Sequence, residues 1–162
     1  MAKGRKRKAG AGDVATNRQA SYRYNLLERF ECGIVLTGTE VKSLRDGNAQ
    51  LKDSYATIKD GEVWLIGAYI APYAGASRDN HDPERTRKLL LHRSQIEKLT
   101  GQTHERGFTL VPTRLYFTSG ERSRAKVEIA LARGKDIYDK RESIKTRDMQ
   151  RDVQRELREV HR

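Results

Sequence analysis

The sequence predicts a mainly β fold with short helices: an OB-like, closed or partly closed antiparallel β-barrel followed by a basic C-terminal tail. Three observations lead there. Segments with a two-residue apolar alternation recur from Tyr22 to Ala132, separated by turn-forming residues. The stretches of helical period between them are short. From Gly134 onward, charged residues of both signs dominate and apolar ones are sparse. The change falls within Lys126–Arg141. There Val127, Ile129 and Leu131 alternate with Lys126, Glu128 and Ala130, and Gly134 then breaks the pattern. The division expected is a disordered basic arm over residues 1–16, a barrel domain over 17–133 and a flexible tail over 134–162.

The elements follow in order. Lys3, Arg5, Lys6, Arg7 and Lys8 lie among glycines and alanines that bury nothing. Such an arm either neutralises phosphates or serves as a solubilising leader. Tyr22–Leu36 reads as the first long strand. Its phase is disturbed over Leu27–Gly33, and Gly33 is the expected bulge or bend. Glu40–Arg45 suits a short helix with Val41 and Leu44 on its apolar edge, Lys42 and Arg45 outward, and Asp46-Gly47 ending it. Ser54–Ile70 is a hairpin turning at Asp60-Gly61, and its return strand, apolar on both faces, belongs in a central place. Residues 71–87 read as a loop and Lys88–His92 as a short apolar segment. Ser94 with Glu97 three residues on resembles a capping box, with Ile96 and Leu99 facing inward and Gly101 closing the helix. Phe108–Thr118 is a strand that Pro112 consigns to an edge or a bulge.

Composition narrows the function classes. Lys and Arg number 33 against 22 acids, a formal net charge of +11. That field favours RNA, DNA or an acidic membrane surface, or else is a solvated basic exterior. Cys32 is the one cysteine, so no internal disulfide or cysteine-based zinc cluster forms. No apolar run approaches the roughly 20 residues that cross a bilayer, and no apolar segment follows the basic N-terminus. We therefore expect a cytoplasmic monomer without metal, cofactor or membrane partner.

Catalytic signatures are missing. His81, His92, His104 and His161 lack metal-ligand spacing, and there is no G-x-S-x-G, P-loop or G-x-G-x-x-G pattern. A nuclease reading rests on the neighbours His81-Asp82 alone. Binding signals are richer. Tyr22 and Tyr24 lie near Arg18 and Arg23, a mixture that suits stacking on exposed bases or ordinary packing. Arg85, Arg87 and Lys88 form a second basic cluster and Lys126 a third. In the tail, Met149, Val153, Leu157 and Val160 fall at helical spacing, with Asp148–Arg151 and Asp152–Arg155 as supporting pairs. That stripe is too narrow to bind the barrel. The tail is expected either to be disordered alone and helical in a partner's charged channel, or to be a frayed terminus.

Three motifs taken together carry a resemblance. They are Phe30-Glu31-Cys32-Gly33-Ile34-Val35-Leu36-Thr37-Gly38-Thr39-Glu40-Val41-Lys42-Ser43-Leu44-Arg45, then Arg85-Thr86-Arg87-Lys88-Leu89-Leu90-Leu91-His92, then Gly134-Lys135-Asp136-Ile137-Tyr138-Asp139-Lys140-Arg141. In this order and spacing they resemble the SsrA-binding protein family. The resemblance implies an OB-type barrel that binds the tRNA-like part of transfer-messenger RNA and accompanies it to stalled ribosomes. It also implies a tail that lies in the empty mRNA channel. It places RNA binding on Glu31, Leu90, His92 and Lys126, and tail function on Gly134, Lys135, Asp139, Lys140 and Arg141. His92, Tyr22 and Asp136 depart from the usual asparagine, histidine and basic residue. An acid beside RNA is unusual: Glu31 either accepts from a base amino group or ribose hydroxyl, or pairs with a barrel arginine. The other reading, a structural protein held permanently on ribosomal RNA, is open to composition but lacks these motifs.

Overall fold

The computed structural model of the chain describes residues 12–160, leaving aside Ser77, Arg106 and Asp136 and the side chains of residues 137–140. Alternation produces the strands and the breaks between them. β1 (Asp13–Thr16) leads through α1 (Arg18–Arg23) to β2 (Tyr24–Ile34), then α2 (Gly38–Arg45) and the two-residue β3 (Ala49–Gln50). β4 (Tyr55–Lys59) and β5 (Glu62–Ile66) form the hairpin, followed by β6 (Tyr69–Ile70) and β7 (Arg87–Leu90). Then come α3 (Arg93–His104), β8 (Phe108–Phe117), β9 (Ala125–Gly134) and the tail helix α4 (Ile137–Val160). The main sheet runs β1-β8-β4-β5-β7-β2-β9, and a further β8–β9 pairing closes it on itself. All its pairings are antiparallel. Two other seams of the ring are short. β4 meets β8 at Ala56–Leu110, and β2 meets β7 at Gly33–Leu90 and Ile34–Leu89.

The expected barrel is therefore present, with β5 between β4 and β7 as its two apolar faces require. The Asp60-Gly61 turn has φ of 53° and 71°, the left-handed pair that two-residue hairpins favour. Phe30 and Cys32 from β2 and Val127, Ile129 and Leu131 from β9 fill the interior, with Leu99 of α3 plugging it. The opposite face of β9 is not all solvent: Ala132 packs with Ala20 of α1 and Val111.

Several expectations move. The arm read as ending at residue 16 gives way earlier, because Asp13–Thr16 hydrogen-bonds along β8. Residues 1–11 lie outside the described residues. Tyr22 belongs to α1, not to the first strand, whose pairing begins at Tyr24. The β2 bulge sits between Leu26 and Glu28, and Gly33 is where β2 passes from β9 to β7. A Cβ there would come within 3.2 Å of the Leu90 Cβ. The N-cap of α3 is His92, whose N–H donates to Gln95 at 3.3 Å, and the helix runs past Gly101 to His104. Ser94 thus lies inside the helix. Pro112 does mark a bulge, but β8 is bonded on both sides and is not an edge.

The tail is one helix from Ile137 to Val160, about 36 Å long. The sequence alone leaves two expectations for it, a tail that turns helical only in a partner's channel or a frayed terminus. Its described side chains are exposed except Ser143, and none enters either core cluster. Asp148–Arg151 and Asp152–Arg155 do not reach ion-pair distance. In water such exposed pairs gain too little to fix two long side chains.

Candidate nucleic-acid interface

Where β2 leaves β9 for β7, the ends of several elements surround an open groove of about 630 Å³. Its floor is apolar: Ile34 at the end of β2 and Leu36 beyond it, Val41 of α2, Leu90 and Leu91 of β7 and its exit, and Phe117. Its rim is polar: Glu31, His92, Gln95, Arg124 and Lys126. Strand pairing makes the grouping. Gly33 is opposite both Leu90 and Lys126, so residues of three strands meet there. The missing side chain at Gly33 lets Leu90 lie across β2, with half its surface still exposed. An apolar floor with a cationic rim can take bases or ribose faces below and phosphates above.

Glu31, Leu90, His92 and Lys126 are brought together by this groove. Lys126 has no carboxylate partner among the described residues. Glu31 pairs neither with an arginine nor with a lysine there: it accepts a hydrogen bond from the Tyr116 hydroxyl. Of the α2 cations, Arg45 lies 5.8 Å from the Phe117 ring that lines the groove, and Lys42 lies 5.5 Å from the Tyr73 ring. Lys88 stands on β7 with its ammonium 2.7 Å from Glu62.

Arg87 is a correction. The sequence groups it with Arg85 and Lys88 as a basic cluster for RNA, yet its side chain is 0% exposed. Its Nε donates to Glu40 Oε1 at 2.8 Å, Nη1 to the Ala68 carbonyl at 2.7 Å, and Nη2 to the Pro83 carbonyl at 3.1 Å. Glu40 is buried as completely. Its carboxylate also accepts from Arg85 Nε and Nη2, at 3.1 and 2.8 Å, and from the Thr37 N–H at 2.8 Å. Burial by itself would raise the Glu40 pKa. The bonds from Arg85, Thr37 and Arg87 outweigh it and bring the group to about 2. Arg87 cannot reach a ligand without abandoning these partners. Its role is to tie α2 and the loop before β7 to the strand that supplies Leu90.

Tyr22 and Tyr24 are also apart from the groove, at the opposite end of β2, about 30 Å along the strand. Tyr22 is exposed on α1, whereas Tyr24 packs beside Ala20, Val111 and Ala132. That end is where the tail departs. Gly134 pairs with Tyr24, and the Lys135 N–H donates to the Arg23 carbonyl at 3.1 Å. Lys135 Nζ donates to the Ser21 carbonyl at 2.8 Å and reaches Ser143 Oγ at 3.2 Å, holding the start of α4 against α1. Arg141 is exposed. The side chains of Asp139 and Lys140, and all of Asp136, lie outside the described residues.

Sequence reading missed Arg124, Gln95 and Tyr116. Tyr116 had a signal: it alternates with Leu115 and Phe117, which point elsewhere, so it had to face the outer side of β8.

Comparison with known proteins bears on this arrangement. The family model described as SmpB protein matches residues 14–159. The SsrA-binding protein of Syntrophobacter fumaroxidans is 56% identical over 142 residues, 88% of this chain and 86% of its own. That of Mycolicibacterium paratuberculosis is 51% identical over 164 residues, 97% and 95% of the two chains. A solved structure described as "tmRNA-SmpB: a journey to the center of the bacterial ribosome" contains a similar chain. It has a TM-score of 0.64 and 47% identity, with 80% of this chain and 92% of that one covered.

Proposed function

The chain belongs to the SmpB family, and from that premise we propose that it is a non-enzymatic adaptor for transfer-messenger RNA. It binds the tRNA-like domain of that RNA through the barrel and brings it to stalled bacterial ribosomes for trans-translation, so its place of work is the cytoplasm. The observation that carries the reading is the groove. Glu31, Leu90, His92 and Lys126, scattered over the sequence, line one concavity with an apolar floor and a cationic rim.

The tail has a separate task in this reading. α4 leaves from the far end of β2, carries alternating acids and bases, and contributes nothing to the barrel core. It would extend along the mRNA channel while the groove grips the RNA. Interspersed acids keep such a helix from collapsing onto the protein's own RNA.

Binding, not chemistry, is what the side chains support. A nuclease reading would need His81, and both ring nitrogens of that histidine are engaged. Nε2 donates to the Ile70 carbonyl at 2.9 Å, and Nδ1 accepts from the Thr39 hydroxyl at 2.9 Å.

The test is titration of the chain with the transcribed tRNA-like domain at several salt concentrations. Lys126→Ala should weaken binding and lower the slope of log K against log salt by about one. An unchanged slope would remove Lys126 from the interface. Sedimentation in high salt separates an adaptor, which washes off ribosomes, from a permanent ribosomal component, which stays.

A further inference from the structure

We propose that Tyr116 is a positioning residue for the RNA groove, holding the Glu31 carboxylate so that one of its oxygens stays available to the ligand. The inference rests on the RNA reading of the groove.

Three strands present one outer face here. Tyr116 of β8 is opposite Lys126 of β9, which is opposite Gly33 of β2. One step along, Arg114 is opposite Glu128, which is opposite Glu31. The Tyr116 hydroxyl crosses this face diagonally to donate to Glu31 Oε2. Glu31 lines the groove, and Tyr116 does not. Glu31 Oε1 accepts no hydrogen bond from any described residue. It is the atom left to receive an N–H of a base or a ribose hydroxyl.

The surrounding charges explain why a tyrosine fills this role. An acid in a cationic groove would otherwise seek the nearest cation. Arg114 is taken by Asp13 at 3.3 Å and Glu128 at 3.4 Å, and Arg29 by Glu128 at 3.0 Å. Thr113 Oγ1 fixes Glu128 further, at 2.7 Å. With both arginines occupied, Lys126, diagonal to Glu31 on this face, is still open to it, and a Glu31–Lys126 pair would cancel the charge that draws phosphate. The Tyr116 hydroxyl prevents this by engaging the carboxylate without neutralising it. Its ring is steadied by the Arg114 guanidinium, 4.3 Å from its centroid. Burial first, and the Glu31 bond second, raise the Tyr116 phenol to about 12, so it remains a donor at any pH at which RNA binds.

The experiment is fluorescence anisotropy of the full chain with the transcribed tRNA-like domain of transfer-messenger RNA over a range of salt. Tyr116→Phe keeps the ring and its arginine contact and removes only the donor. It should weaken binding about tenfold. The salt slope should fall by up to about one, because the freed Glu31 carboxylate pairs with Lys126 and takes it from phosphate. Adding Tyr116→Phe to Glu31→Gln should cost nothing beyond Glu31→Gln alone, since the hydroxyl acts through that carboxylate. Wild-type affinity in Tyr116→Phe, losses that multiply in the double variant, or an affinity loss matched by a fall in the thermal midpoint would each overturn the role. A wild-type chain that does not bind this RNA would overturn the RNA reading itself, and that failure is seen before Tyr116 is touched.

Discussion

The barrel and the tail helix are both rich in charge, yet they place it in opposite ways. In the barrel the deepest charges are locked together: Glu40 and Arg87 have no exposed side-chain surface and share a 2.8 Å bond. In α4 the described charged side chains all face solvent, and the supporting pairs that spacing suggested do not close. The groove lies between these extremes, with Lys126 at its rim free of any described carboxylate. The difference teaches what each charge is for. A buried, fully bonded ion acts on the fold, and its removal leaves a partner stranded. An exposed one contributes little to stability and is available to another molecule.

The largest effect should come from removing the helix altogether. A chain ending at Arg133 should keep its barrel and nearly all its RNA affinity while losing tagging of stalled peptides, as measured in a reconstituted translation reaction. Loss of RNA binding in that chain would erase the contrast between the two regions. Next in size is the buried cluster. Glu40→Ala should lower stability by about 3–5 kcal/mol in denaturant unfolding, because Arg87 is then buried without its anion. A cost under about 1 kcal/mol would mean the cluster is no more structural than a surface pair. The smallest is the acid limb of the same interaction. The Glu40 carboxyl has its folded pKa lowered from 4.5 to about 2. Its contribution is therefore full above pH 4.5 and is lost as pH falls through the folded value, on the order of 3 kcal/mol in all. Stability profiles of the wild type and Glu40→Gln should converge on acidification over that interval. Parallel profiles would assign the acid sensitivity elsewhere.

Local rules made part of the fold legible. Asp60-Gly61 specifies its own turn, since both residues accept positive φ. Pro112 cannot donate in a ladder and marked a bulge where one occurs. Val127, Ile129 and Leu131 announced an inward face, and the three are buried as their alternation requires. The errors share one cause. Tyr22 fits a strand pattern but lies in α1, which covers Ala132. Leu27, not Gly33, is the bulged residue, and a bulge is a property of two paired strands. Arg87 looked like the half-buried cations Arg85 and Lys88 beside it because the carboxylate that draws it inside is 47 residues away.

The order of residues by itself determined the alternating strands, the tight hairpin, the excess of positive charge and the abrupt passage to a polar tail, because each is set by neighbours within a few positions. Which cations face outward, and that Glu31, Leu90, His92 and Lys126 share one groove, was decided by the tertiary structure. Those facts depend on strand register and on charges meeting across long stretches of chain, and no local pattern encodes either.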